Sequence, residues 1–399
     1  MTKALLVLNA GSSSLKFAVF GRRAELPVLL KGSISQLGHE PRLKVGSPGE
    51  ADCERALGAG PMSPGDAVQA ALAELRGRGL MDRIVIVGHR IVHGGQTFTR
   101  PTVLDRLTLD RLRHLAPLAP LHQPYNLDIV ELASGLLPAA IQIGAFDTAF
   151  HADRPRCDRL YGLPRRLSDD GIMAYGFHGL SYAHVAAVLR ARYGASAGGR
   201  TIVAHLGSGA SLCAMDAGRS VATTMGFSAL DGLVMSSRCG SLDPGIVLHL
   251  IRERHMSAEV VSELLYEQSG LLGVSEISGD MQTLLESGDP RAAEAVDLFI
   301  YRIGRAIGSL AAAVGGLDTL VFTAGIGENA PRVRQLICEA AGWLGVSIDP
   351  TRNERGETSV GSAASDVDVL VIPAEEERAV AEGALACLET VEAQPRRNA

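Results

Sequence analysis

"LLVLNAGSSSLKFAVF", Leu5 to Phe20, reads as a strand that breaks at a polar turn, Ala10-Gly-Ser-Ser-Ser14, and resumes as a second strand. A buried hairpin needs only a two-residue Asn-Gly or Gly-X turn, so a run of hydroxyls followed by a lysine calls for a reason. Phosphate supplies one. Gly11 lets the backbone come close to a ligand, Ser12 and its neighbours donate with the turn N–H groups to phosphate oxygens, and Lys16 adds positive charge. Taken alone, the stretch fits a polar surface hairpin equally well.

The same grammar returns at Ile202 to Gly218, "IVAHLGSGASLCAMDAG": strand, Gly/Ser turn, strand. Two such turns, one in each half, suit a phosphate chain clamped between two related domains. Around them, apolar runs of strand length alternate with helical patterns, which argues α/β. "RIVIVGHRIVHGG" (83–95), "AAIQIGAFDTAF" (139–150), "DTLVFTAGIGEN" (318–329) and "DVDVLVIPAEEE" (366–377) are apolar strands running into polar or glycine-rich ends. Functional groups therefore gather at strand ends. The clearest helix spans 291–314, with Val296, Phe299, Ile303, Ile307, Leu310 and Val314 on one face and Gly315 as its stop. A shorter one spans 181–193.

At 399 residues the length prior gives two domains. A boundary is expected near 150, giving domains 1–150 and 151–384, with a final helix at about 385–399 packing back on the first. A net charge of −6 offers no basic patch for nucleic acid or an anionic membrane. The six cysteines lack C-x-x-C spacing, which fits a reducing cytoplasm, and no stretch is long enough to span a bilayer. "GSSSLK" lacks the second glycine of a P-loop, and neither "GSGASL" nor "GIGENA" completes a dinucleotide fingerprint. Phosphate binding by hairpin turns remains, the habit of actin-like ATPases and sugar kinases, whose domains are ribonuclease-H-like.

In order along nearly the whole chain, "VLNAGSSSLK", "GHRIVHGG", "PLHQPYNL", "FDTAFH", "YGFHGLSY", "AHLGSGASL", "TMGFSALDGLVMSSRCGSLDPG", "FTAGIGENAPRVR" and "IPAEEERAVA" resemble the acetate/propionate/butyrate kinase family. The resemblance implies two ribonuclease-H-like α/β domains flanking a nucleotide cleft, and a homodimer. It also implies reversible phosphoryl transfer from ATP to acetate, giving acetyl phosphate and ADP, with Mg2+ (or Mn2+) as cofactor. Propionate or butyrate is the alternative acceptor. An actin-like structural ATPase is the reading from another class, and it has no use for residues that hold an acceptor.

The chemistry asks for few groups. The acceptor oxygen is already an anion, so no strong base is needed; the catalyst must offset repulsion between two anions and hold them in line. Strand alternation puts Arg90 and Val92 on one face and His89, Ile91 and His93 on the other, a charge beside an apolar wall. By resemblance, Arg90 binds acceptor and phosphoryl, while Val92, Leu121, Phe177 and Ala229 line the acyl pocket and His122 assists. His178, at a helix N-terminus, and Arg238 donate to the phosphoryl oxygens in the transition state. Asp147 orients a magnesium-bound water, and Asn9 and Glu376 complete the metal surroundings. Ser12, Lys16, His205, Gly207, Ser208 and Gly209 serve the phosphates; Gly325, Gly327, Glu328 and Asn329, in a glycine-rich bend, serve the adenosine. Replacing Arg90 or Arg238 with Ala is expected to abolish most turnover with the fold intact.

Ser208 stands where the family commonly has Asn, Ala229 where it has a pocket-lining Pro, and Ser241 where it has an acid. The lost ring volume at Ala229 predicts that propionate is accepted comparatively well. "PAEEE" leaves Glu375 and Glu376 both open as the metal-side carboxylate.

Overall fold

Alternation along β1 (Ala4–Ala10) gives the strand two different faces. Ala4, Leu6, Leu8 and Ala10 enter a core with Leu15, Phe17 and Val19 of β2 (Leu15–Gly21), closed by Ala67, Val68, Ala71, Leu72 and Leu75 of helix Pro64–Gly77 and by Ile129 and Ala133 of helix Gln123–Leu136. The opposite face lies under helix Glu376–Ala393, where Gly88 leaves room: a Cβ there would sit 2.8 Å from a Val380 methyl. The computed structural model describes residues 2–11, 14–120 and 122–393. Ser12 and Leu121, both expected at the site, lie outside the described residues, as do residues 394–399 of the expected final helix.

The chain forms two units, Met1–Ala149 with Glu375–Ala399, and Phe150–Ala374. The returning segment thus starts at Glu375 and not near 385, because Glu376–Ala393 is one uninterrupted helix. In the first unit, β3 (Val28–Ser35), β4 (Arg42–Gly46), β5 (Cys53–Ala56), β6 (Ile84–Ile91), β7 (Thr102–Val103) and β8 (Ile141–Phe146) complete a sheet in the order β5-β4-β3-β2-β1-β6-β8-β7. The second unit has β9 (Arg200–Leu206), β10 (Ala210–Asp216), β11 (Arg219–Thr223), β12 (Thr319–Thr323) and β13 (Asp368–Val371) in the order β11-β10-β9-β12-β13.

The two sheets share a plan. β3-β2-β1-β6-β8 and β11-β10-β9-β12-β13 each consist of two antiparallel pairings followed by two parallel ones. The Gly/Ser stretches connect the same pair in each, β1 to β2 and β9 to β10, and are flanked by Ala10 opposite Leu15 and Leu206 opposite Ala210. In the second unit helix Gly179–Tyr193 supplies Tyr182, Val185, Ala186 and Leu189 to the core. Helix Pro290–Val314 buries Val296, Phe299, Ile303, Ile307 and Leu310 and ends at Gly315, whose φ of +77° is the left-handed cap glycine adopts freely.

Two local expectations change. β6 stops at Ile91, so strand alternation does not extend to Val92 and His93. The glycine-rich stretch after β12 is a short helix, Ala324–Asn329, and not a bend. Among the described residues no helix is long and apolar enough to cross a membrane.

Three buried histidines tie stability to pH. Burial pushes His89 and His93 down to about 4 and His151 down to about 3. Below about pH 6.5 the unfolded chain takes up protons that the folded chain refuses, so their stabilisation is complete above that pH and is lost as pH falls. Each group contributes a slope of about 1.4 kcal/mol per pH unit in that window. The urea midpoint is expected to fall between pH 6.5 and 4.5, above the range in which ordinary carboxylates titrate; a flat midpoint there would contradict the neutral buried rings.

Candidate active site

Neighbouring strands β1, β6 and β8 bring Asn9, Arg90 and Asp147 together in the first unit. Arg90 Nε donates to Asp147 Oδ1 at 3.0 Å and one of its terminal nitrogens to Oδ2 at 2.6 Å, while the other donates to Asn9 Oδ1 at 3.3 Å. Asp147 is 2% exposed, and its own N–H is fixed on the Ile91 carbonyl. Burial works against the Arg90 charge, but Asp147 and Glu376 outweigh it and raise its pKa. Burial likewise pushes the Asp147 carboxyl up, against the pull of Arg90. Both Asp147 oxygens accept from Arg90, which fixes the carboxylate in place.

This pairing changes what Arg90→Ala would do. Removing one partner of a buried ion pair costs about 3–5 kcal/mol, so the variant should show a matching loss in urea denaturation, against the expectation of an intact fold. An unchanged midpoint would mean that Asp147 finds water on its own. The Arg90→Ala/Asp147→Ala double variant, which leaves no unpaired Asp147 carboxylate, should recover part of that stability and so measures the share due to the stranded Asp147.

The acidic run after β13 is sorted by its neighbours. Glu375 pairs with Lys31 at 2.7 Å and with Arg378. Glu376 and Glu377 instead accept from Asn9 Nδ2 at 2.9 and 2.8 Å, and Glu376 lies 3.9 Å from Arg90 Nε. Glu376 is therefore the carboxylate that shares the Arg90 cluster. Lys16 pairs in register with Asn9 and is exposed, lining with Lys31, Lys44 and Glu377 a shallow groove on the sheet. Val92 is 5% exposed, and its N–H donates to Asn126 Oδ1, while His93 N–H donates to Gln123 Oε1. His122 is the residue preceding that helix. His89 bonds to Gln142 and His93 accepts from the Gly95 N–H, as expected for packed histidines.

In the second unit the turn before helix Gly179–Tyr193 is held in unusual backbone. Gly176 has φ +83° and His178 φ +57°. A Cβ on Gly176 would lie 2.7 Å from the His151 ring, so only glycine fits. His151 itself bonds through Nε2 to the Phe177 carbonyl at 2.9 Å and through Nδ1 to Ser220 at 2.8 Å. His178 lies on the ring of His205, centroids 4.1 Å apart, and its Nδ1 meets Ser211 Oγ at 2.9 Å. His205 bonds in turn to Ser181.

The β9–β10 turn closes through Gly207 N–H to the Gly209 carbonyl, and the Ser208 carbonyl accepts from Ser236 N–H. A Cβ placed on Gly209 would lie 3.2 Å from His178 Nε2 and 4.0 Å from Arg238 Nη1. Two cationic or donor side chains thus converge on the turn where the second phosphate site was expected. Arg238 also donates to the Ala229 carbonyl at 3.1 Å. Its loop is anchored by helix Gly270–Ser275: Leu271 and Leu272 N–H groups donate to the Met235 and Ser236 carbonyls. Gly270 adopts φ +65°, and a Cβ on it would sit 2.2 Å from Met235 O.

Gly207 lies beside Ala324, so the expected adenosine segment adjoins the phosphate turn. A Cβ on Gly325 would meet nothing within 4 Å. Glu328 accepts the Ala374 N–H, and Asn329 donates to the Gly325 carbonyl, so both side chains help to hold the segment itself. Sequence reading missed Arg334, 1% exposed, which donates to the Gly327 and Glu328 carbonyls and to Asn353. It also missed Ser211, Tyr182, Glu377 and His151, although each lies in or next to a quoted motif. The spacing of Tyr182 from His178, i and i+4 across the helix start, was the available signal.

Among the described residues no three His, Cys, Asp or Glu side chains form a metal cage. The donor set that does exist, Asn9, Glu376 and Glu377 beside Asp147, is all hard oxygen apart from the Asn9 amide nitrogen. It holds more carboxylates than the one guanidinium balances. That suits Mg2+, which takes one or two carboxylates and fills the rest of its shell with water and phosphate. The amide nitrogen of Asn9 faces the glutamates, so in this rotamer Asn9 orients Glu376 and Glu377.

The comparisons agree in kind. Residues 4–382 match the model of the Acetokinase family. An acetate kinase of Rhodopseudomonas palustris (strain TIE-1) is 49% identical over 388 residues, 96% of this chain and 97% of that protein. One of Rhizobium meliloti is 44% identical over 96% of this chain and 98% of its own length. Among solved structures, a propionate kinase from Francisella tularensis subsp. tularensis SCHU S4 superposes with a TM-score of 0.88 at 32% identity, covering 96% of this chain and 98% of that one. Porphyromonas gingivalis acetate kinase gives 0.85 at 34% identity, covering 97% and 100%.

Proposed function

The chain belongs to the acetokinase family, and from that premise we propose how its residues perform ATP-dependent phosphoryl transfer to acetate, giving acetyl phosphate and ADP. The acceptor is a carboxylate anion and needs no deprotonation; the residues must hold it and spread the charge of the transferring group. Arg90, whose positive charge Asp147 and Glu376 favour, binds the acceptor carboxylate. Val92, Phe177 and Ala229 contact its methyl group. His178 Nε2 and Arg238 donate to the equatorial oxygens of the phosphoryl group, and the main chain at Gly207 to Gly209 holds the nucleotide phosphates. Gly325 to Asn329 take the adenosine. Mg2+, held on the Glu376 side with Asn9 as its orienting neighbour, neutralises phosphate charge when bound. We read each unit as a ribonuclease-H-like domain on the strength of the shared strand order. The exposed apolar side chains Leu242, Ile246, Leu248, Ile251 and Val260 support a homodimer formed through this surface.

The observation that carries this reading is the approach of His178 Nε2 and Arg238 to Gly209, which a structural ATPase without an acceptor would not need. The test is ATP, Mg2+, acetate and hydroxylamine, with acyl phosphate trapped as hydroxamate. Hydroxamate should form only when acetate is present. ATP hydrolysis that ignores acetate, with no hydroxamate, would favour the structural ATPase. In the same assay propionate should give kcat/KM within about tenfold of acetate, since one methylene in an apolar pocket is worth about 1–3 kcal/mol and Ala229 leaves space for it. A ratio below about one in a hundred would show that the room left at Ala229 is filled by something else.

A further inference from the structure

We infer that the second unit holds a separate binding site for a small multivalent oxyanion, at the base of the loop that carries Arg238. The cavity there has a volume of about 360 Å³, within the range of small-ligand sites. One wall is a stripe of helix Pro290–Val314, with Arg302, Arg305 and Ser309 at i, i+3 and i+7. Thr224 and Ser241 stand on the other wall.

The charge balance of the cavity is positive. Both guanidinium groups belong to exposed residues, and among the described residues neither makes an ion pair; Arg305 rests over the Tyr301 ring of its own helix. The one acid lining the cavity, Asp158, is already paired with Arg154, whose side chain is 1% exposed. Asp231, behind Ser241, is taken up by the Ser241 hydroxyl and by Gly232 N–H. Two uncompensated guanidinium groups three residues apart match a ligand with two anionic oxygen groups, each able to accept a forked pair of hydrogen bonds. A monoanion would leave one of them unmatched. Ser309 and the hydroxyl residues opposite suit oxygen atoms and offer little to an apolar ligand.

The site is joined to the loop through Ser241. Ser241 N–H donates to the Gly232 carbonyl at 2.9 Å, Gly232 N–H donates back to Ser241 Oγ at 3.2 Å, and Ser241 Oγ donates to Asp231 at 2.7 Å. These bonds close the segment 232–241 on itself, with Arg238 near its far end. An anion that accepts the Ser241 proton competes with Asp231 and loosens that closure, so it should alter turnover. This last step rests on the role proposed for Arg238.

The experiment is calorimetric titration of the full chain, saturated with a non-hydrolysable ATP analogue, Mg2+ and acetate so that the nucleotide and acceptor sites are both filled, with succinate in one arm and inorganic phosphate in the other. At least one probe should bind, and the two arms tell a dicarboxylate site from a phosphoryl site. In Arg302→Ala/Arg305→Ala that binding should weaken at least tenfold, while hydroxamate formation without added anion stays at the parent rate. The bound probe should change the parent's kcat and leave that of the double variant alone. No binding of either probe, or binding equal in parent and variant, overturns the site. Binding that is lost in the variant but never alters kcat overturns the link to Arg238. Hydroxamate formation is read separately, so a failure of the proposed reaction would be visible on its own.

Discussion

Arg238→Ala is expected to lower kcat for hydroxamate formation by about 10³- to 10⁵-fold, the range in which an arginine on a transferring phosphoryl group acts. The KM for ATP should change only a few-fold. The split follows from the geometry. The guanidinium approaches the Gly209 turn through a side chain whose backbone is fixed independently, by the N–H groups of Leu271 and Leu272 on the carbonyls of Met235 and Ser236. Truncation therefore takes away charge without releasing the loop, and the main-chain groups at Gly207 to Gly209 remain to hold the nucleotide. Arg238→Lys should recover little, because an ammonium cannot donate to the Ala229 carbonyl and a phosphoryl oxygen in the same forked geometry. Steady-state kinetics with circular dichroism as a check on folding decides it. A kcat within tenfold of the parent would remove Arg238 from the transition state.

The hairpins were legible because strand alternation and turn composition are local, and Asn9, Gly207 and Gly209 fall where the strand pattern puts them. What was not legible depends on residues far away in the chain. β6 ends at Ile91, and beyond it Val92 N–H is taken by Asn126 Oδ1 from a helix 34 positions on. Glu375 and Glu376 look alike in the run of acids and are told apart only by Lys31 and Asn9, at the other end of the chain. "AGIGEN" has the composition of a bend, yet it is helical where the buried Arg334 collects its last carbonyls. The pairing of Arg90 with Asp147 was likewise hidden, since each side chain alone suggested a ligand and neither suggested the other.

His178→Ala should cost about 10²- to 10³-fold in kcat, as the loss of one preorganised donor to a developing oxyanion does, and the proton that makes it a donor can be traced. Tyr182 is fully buried, and among the described residues its hydroxyl has Ser211 Oγ as its hydrogen-bond partner. If Ser211 donated to Tyr182, the phenolic proton would be buried without an acceptor, at a cost of about 1–3 kcal/mol. Tyr182 therefore donates to Ser211, and Ser211, with one proton, donates to His178 Nδ1. The tautomer follows from satisfying that chain: Nδ1 accepts, and Nε2, facing Gly209, carries the hydrogen. Ser211→Ala breaks the chain and should lower kcat by about two- to tenfold, the worth of one neutral hydrogen bond. The double variant gives the sharper result. Once His178 is Ala, removing the Ser211 hydroxyl should cost nothing more in kcat, because Ser211 acts only through the ring. Fully additive losses in that cycle would show that Ser211 touches the substrate itself and that the tautomer is set by some other group.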